Sequence, residues 1–170
     1  MPKASLVLLA LLLPVASAAQ TPLPATDITA ADVQAFVKQL PPNAVSDRPI
    51  RVVDVGGYKV GVYGVFRPKS VKQDAVLHET RVTEVYQMLD GAGTLVTGGT
   101  LVEPDKGTLG GVGRTVRGSR IDGGVSRRVT KGDIIIIPAG TPHWWSQLDG
   151  DITYVIIRPD PEGRRSSELT

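Results

Sequence analysis

Hydrophobic and polar positions repeat with two different periods along this chain. Val33, Phe36, Val37 and Leu40 recur at i, i+3, i+4 and i+7, which predicts one amphipathic helix. Thr29 is placed to cap its start, with Asp32 three residues on, and Pro41-Pro42 stops it. From Ile50 the pattern changes to alternation with many β-branched residues. Ile50 to Val55, a Gly56-Gly57 turn and Tyr58 to Phe66 predict a hairpin. Further strands are predicted over Ala75 to Glu79, Glu84 to Leu89, Thr94 to Val102, Arg127 to Thr130, Asp133 to Ile137 and Ile152 to Arg158. Glycine is dense over 103–125, which reads as one long loop. Ile134 to Ile137 is apolar at every position, as in a strand covered on both faces, by the barrel on one side and by the helix or a second copy on the other.

The extreme N-terminus has a different pattern. Met1-Pro2-Lys3 precedes an apolar run from Leu6 to Val15, followed by the small residues Ala16, Ser17, Ala18 and Ala19. This is the form of a secretory signal cleaved near Ala18 or Ala19. The apolar run is about ten residues, against the ~20 needed to span a bilayer. The expected organisation is therefore a signal peptide over 1–19, a leader and amphipathic helix over 20–49, a barrel over 50–158 and a polar tail over 159–170. The expected location is secreted or periplasmic, with no membrane attachment after cleavage.

Composition narrows the chemistry. The chain has 170 residues, with 19 Gly, 13 Pro and 5% aromatics, consistent with many short strands and turns. The net charge is +2. The densest basic stretch, Arg114 to Lys131, is broken by Gly, Ser and Asp and lacks stacking aromatics, so it reads as a solvated loop with no nucleic-acid partner. With no cysteine, disulfides, thiolate metal sites and cysteine nucleophiles are excluded. Gly110-Gly111-Val112-Gly113 does not complete a dinucleotide-binding fingerprint, and no G-x-S-x-G elbow is present. Imidazole chemistry rests on the two histidines, His78 and His143.

Both histidines fall in ordered spacings. His78, Glu84 and Gly91 give H-x5-E-x6-G, and Gly132, Pro138, Gly140 and His143 give G-x5-P-x-G-x2-H. These resemble the two motifs of the cupin superfamily over roughly residues 60–158. The resemblance implies an all-β, double-stranded β-helix (a jelly-roll barrel), here with one N-terminal helix. The sequence departs from the family pattern at Thr80, where the family has a second metal-binding histidine, at Gln147 in place of an asparagine, and at Ser70-Val71 where a glycine would open the first motif. An immunoglobulin-type sandwich is the rival fold, and its Cys…Trp…Cys signature is absent.

Strand parity supplies an independent check. Residues of equal parity share a face, which puts Thr80 beside His78, Tyr86 and Met88 beside Glu84, and Trp145 and Gln147 beside His143. Glu79 then points outward, and Trp144-Trp145 serve either as core or as a ligand-stacking wall. Two imidazoles and one carboxylate converge on one interior. Such a set suits a divalent Zn, Fe, Mn, Ni or Cu ion and leaves coordination positions open. The expectation is a metal site at His78, Glu84 and His143 and a small-molecule pocket at Thr80, Tyr86, Met88, Trp145 and Gln147. The resemblance to small cupins then implies a metal-dependent enzyme of oxygenase, isomerase or decarboxylase type, acting on a small polar molecule. The alternative is a metal-free cupin that binds or senses a small molecule, with the same three residues as a hydrogen-bonded network. A homodimer is expected by analogy with small cupins and from the apolar Ile134 to Ile137 strand.

Overall fold

Thr29 caps the helix as its spacing predicts. In the computed structural model, which describes residues 22–110 and 112–161, its hydroxyl accepts from the Asp32 N–H, and Asp32 accepts in return from the Thr29 N–H, both at 3.1 Å. Helix α1 (Ala30–Val37) lies on the outside of the domain. Val33, Phe36 and Val37 are half-buried, and Leu40 just beyond is buried. The close approach of α1 requires glycine at 64: a Cβ there would stand 2.8 Å from the Phe36 ring. The proposed signal, 1–19, lies outside the described residues, as does the tail from 162. No helix among the described residues is long and apolar enough to cross a membrane.

Thirteen strands follow α1 among the described residues. The first group is β1 (Ser46–Asp54), β2 (Lys59–Arg67), β3 (Ala75–Glu79), β4 (Glu84–Asp90), β5 (Ala92–Thr97) and β6 (Thr100–Val102). The second is β7 (Thr108–Gly110), β8 (Gly113–Gly118), β9 (Arg120–Asp122), β10 (Val125–Thr130), β11 (Ile134–Ile137), β12 (His143–Leu148) and β13 (Ile152–Asp160). One sheet runs β1-β2-β13-β4-β11, the other β10-β5-β12-β3-β8-β7, and β6 pairs with β9 in a short ribbon. These two sheets form the double-stranded β-helix. Between them lies one core of Val65, Tyr86, Met88, Leu95, Val129, Ile135, Ile137, Trp145, Leu148, Ile152, Tyr154 and Ile156. Each such side chain contributes ~1.5–3 kcal/mol through burial alone.

Four expectations are corrected. The glycine-rich stretch read as a loop over 103–125 contains β7, β8 and β9. Its glycines permit close backbone packing: a Cβ at Gly118 would stand 2.7 Å from the Val102 carbonyl oxygen. Strand β1 already begins at Ser46, ahead of 50, because Pro49 sits at a register irregularity on an edge strand, where a missing N–H is tolerated. At the other end β13 runs through Pro159 to Asp160, which is buried, so the tail starts later than 159. Finally, Ile135 and Ile137 are buried, but Ile134 and Ile136 are 65% and 66% exposed. Strand β11 is a sheet edge, and α1 covers β2 instead.

Candidate metal centre

Three strands deliver the cluster. His78 is near the end of β3, Glu84 opens β4, and His143 opens β12. The turn before β12 uses Gly140 at φ +69°, a left-handed conformation that glycine adopts without strain, with the Thr141 N–H donating to the Pro138 carbonyl. One side-chain donor atom from each of His78, Glu84 and His143 lies within 4.8 Å of the others. Glu84 Oε2 is 3.3 Å from His143 Nε2, Glu84 Oε1 is 3.9 Å from His78 Nε2, and the two ring centroids are 5.4 Å apart.

The other nitrogen of each ring is already engaged. His143 Nδ1 is 3.0 Å from the Thr141 carbonyl oxygen, which accepts and so requires the proton on Nδ1. That leaves a lone pair on Nε2, aimed at a carboxylate oxygen 3.3 Å away. His78 Nδ1 is 2.8 Å from the Thr115 hydroxyl. Burial pushes the His78 imidazole down to about 4 against a partial offset from Glu84, and burial likewise lowers His143. Both rings are therefore neutral near pH 7. Two acceptors facing each other in a dry site repel unless a proton or a cation lies between them. The donor set fits a divalent ion: two neutral imidazoles and one carboxylate, with both rings oriented from behind and the His143 tautomer fixed by the Thr141 carbonyl.

Glu84 has partners of its own. Buried Arg158 on β13 donates from Nε to Oε1 at 2.6 Å, and the Tyr86 hydroxyl donates to Oε2 at 3.2 Å. Burial, the largest single influence, would raise the Glu84 carboxyl, but Arg158 and the two histidines together outweigh it and hold it at about 2. Arg158 also grips Asp47 on β1 through both terminal nitrogens, at 2.9 and 2.5 Å, and its guanidinium lies 4.6 Å from the centre of the Tyr63 ring. Burial raises Tyr86 well above the ordinary phenol range, so its hydroxyl stays protonated and donates.

A cavity of about 560 Å³ opens in front of the cluster. His78, His143, Tyr86, Tyr63 and Thr115 line it, as do the charged residues Asp47, Arg67, Lys72, Asp74, Arg117 and Arg158. Of the residues expected in the pocket, Tyr86 lines it. Met88 and Trp145 belong to the core between the sheets. Thr80 lies past the end of β3. Its N–H folds back to the His78 carbonyl at 2.9 Å and its hydroxyl accepts from the Val82 N–H at 3.3 Å, so strand parity no longer applies there. Gln147 is exposed because a bulge between Trp145 and Gln147 inserts one residue into β12 and turns it outward. Glu79 points outward as expected, 3.5 Å from the Arg114 guanidinium. The Trp144 indole N–H donates to the Gln73 carbonyl, and Trp145 is core.

Thr115, Asp47, Arg67 and Arg158 escaped the sequence reading. Thr115 lay in the stretch taken as a loop and Asp47 in the leader before the expected first strand. The signal for Arg158 was present: it shares parity with Ile152, Tyr154 and Ile156, so it had to point inward.

No protein-family model matches the chain, and no curated protein matches it. Solved structures similar to it include a double-stranded β-helix protein from Klebsiella pneumoniae (15% identity, 82% of this chain and 94% of that one, TM-score 0.48). Others are a Cupin 2 conserved barrel domain protein from Salinispora arenicola (14%, 84% and 94%, 0.46) and the DMSP lyase DddQ from Ruegeria pomeroyi (15%, 81% and 76%, 0.41).

Proposed function

We propose that this chain is an exported, cupin-type metalloprotein in which His78, Glu84 and His143 hold one divalent ion, and that it acts as an enzyme on a small polar molecule. The observation that carries the reading is the pair of facing acceptors, His143 Nε2 and Glu84 Oε2 at 3.3 Å, with the Nδ1 proton committed to Thr141. Zn, Fe, Mn, Ni and Cu all suit this donor set. When bound, such an ion would supply Lewis-acid polarisation of a ligand oxygen, the basis of oxygenase, isomerase and decarboxylase chemistry alike.

The chain's own residues have separable parts. Thr115 and Thr141 fix the ring orientations, and Arg158 and Tyr86 fix the Glu84 carboxylate. Export is supported by the leader-like pattern of residues 1–19, and a mature N-terminus near Ala19 on the exported protein would test it.

A second reading, a metal-free binding or sensing module, is favoured by one observation: Arg158 already neutralises Glu84. Calorimetric titration of the mature chain with each of the five ions separates the two. Uptake of about one ion per chain, with about 2.7 kcal/mol of added stability at a hundredfold excess over Kd, supports the metalloprotein. Absence of heat and of any thermal shift with all five ions supports the second reading.

A further inference from the structure

We propose that Arg67 anchors the carboxylate of a small organic acid in the cavity, with the remainder of that molecule turned toward the His78–Glu84–His143 cluster. The proposal deepens the reading of this cavity as the ligand site and rests on it. Arg67 stands at the end of β2 and lines the same cavity as the two histidines. It is half-buried, yet no carboxylate among the described residues forms an ion pair with it. Its Nε donates to the Tyr154 hydroxyl at 2.7 Å and its Nη1 to the Gln73 side-chain oxygen at 2.9 Å. Both acceptors are neutral. Arg158, by contrast, takes up two carboxylates.

The Asp47 carboxylate acts on the Arg67 guanidinium from a distance but is committed to Arg158 through both of its oxygens, and a bound anion would give the guanidinium a direct ionic partner. The clamp is built. Tyr154 is fully buried, and Gln73 is itself pinned through its amide nitrogen to the Pro68 and Val71 carbonyls at 3.2 and 2.7 Å. The guanidinium is thus held in place by two bonds that leave its Nη2 without an assigned partner, so little side-chain entropy remains to be lost on binding. The wider charge pattern agrees. Lys72 faces Asp74 at 4.0 Å and Arg158 holds two carboxylates, while among the described residues no carboxylate forms a direct ion pair with Arg117, which feels the charge of Asp105. The unbalanced charge of the wall is positive. Fork geometry favours a carboxylate, and the volume of about 560 Å³ restricts the ligand to a small molecule.

The experiment uses the full-length mature chain, metal-loaded and, separately, metal-stripped and freed of chelator. Succinate is the probe, with neutral succinamide and inorganic phosphate as comparisons. Succinate is expected to bind wild type at least about tenfold more tightly than succinamide or phosphate. Arg67→Gln is expected to lose at least about tenfold in succinate affinity, at wild-type metal content, and Arg67→Lys to recover part of it. If Arg67→Gln does not fold, the succinate-to-succinamide ratio in Arg67→Lys decides, and a ratio unchanged from wild type overturns the proposal. It is also overturned by equal succinate affinity in wild type and Arg67→Gln, by equal affinity for succinamide, by tighter phosphate binding, or by no succinate binding up to about 50 mM. Arg67-dependent succinate binding in a chain that takes up no metal would sink the metalloprotein reading alone, and normal metal uptake with Arg67-independent binding would sink this one alone.

Discussion

Replacing Arg158 by methionine isolates the electrostatics beneath the site. The side chain is 3% exposed and makes three charge-assisted bonds, one to Glu84 and two to Asp47. Asp47 sits at the surface with a side chain 36% exposed, so water screens most of its loss. Glu84 has no such relief at 4% exposure. Leaving a buried carboxylate without its cation costs about 3–5 kcal/mol, and methionine refills much of the lost volume. At ~2–4 °C per kcal/mol for a chain of this size, the chelated variant should melt about 10 °C below wild type. Urea unfolding at pH 7.5, followed through Trp144 and Trp145 fluorescence, reads the loss directly. Adding Glu84→Gln removes the stranded charge and should recover at least half of it. Divalent metal should also narrow the gap, since an ion can replace the guanidinium as the partner of Glu84. A loss below about 1 kcal/mol for Arg158→Met, or a double variant no more stable than the single one, would refute the reasoning.

Acid should destabilise the metal-free protein in two stages. The unfolded chain takes up a proton on histidine near pH 6.5, whereas folded His78 does so only at about 4, so stability falls as pH drops across that window. Glu84, held at about 2 in the fold, extends the loss below 4.5, and melting temperatures in chelator from pH 8 to 3 measure both. Thr115→Val removes the partner behind His78 and should weaken metal affinity about tenfold or more with little change in melting temperature, as read by competition with a chromophoric chelator. The exposed Ile134 and Ile136 on the open edge of β11 should drive self-association at micromolar concentration; Ile134→Lys with Ile136→Lys should sediment as a monomer at concentrations where wild type does not.

The fold was legible where one physical signal acted alone. The Thr29–Asp32 cap, the 75–79 strand and the turn before His143 were each stated locally by residue type and spacing. The convergence of His78, Glu84 and His143 was legible because parity holds along uninterrupted strands. It failed at Thr80 and Gln147, where a bend and a bulge shift the count by one, and neither leaves a residue signature. Strands β7 to β9 were hidden because their glycines, needed for close backbone approach, read as turns. For the tetrad of isoleucines the helix proved not to be the outer cover, because α1 packs on β2, which leaves a second copy as the neighbour the apolar face calls for. Parity placed Arg158 inward, but its partners Glu84 and Asp47, like the Tyr154 partner of Arg67, are distant in sequence and became known only from the fold.

Metal content tests the central claim most directly. Elemental analysis of the mature chain, purified without chelator beside His143→Ala and Glu84→Gln, should give about one divalent ion per wild-type chain and far less in both variants. Less than about 0.1 ion per wild-type chain, with no uptake on titration, or wild-type content in both variants, would contradict it.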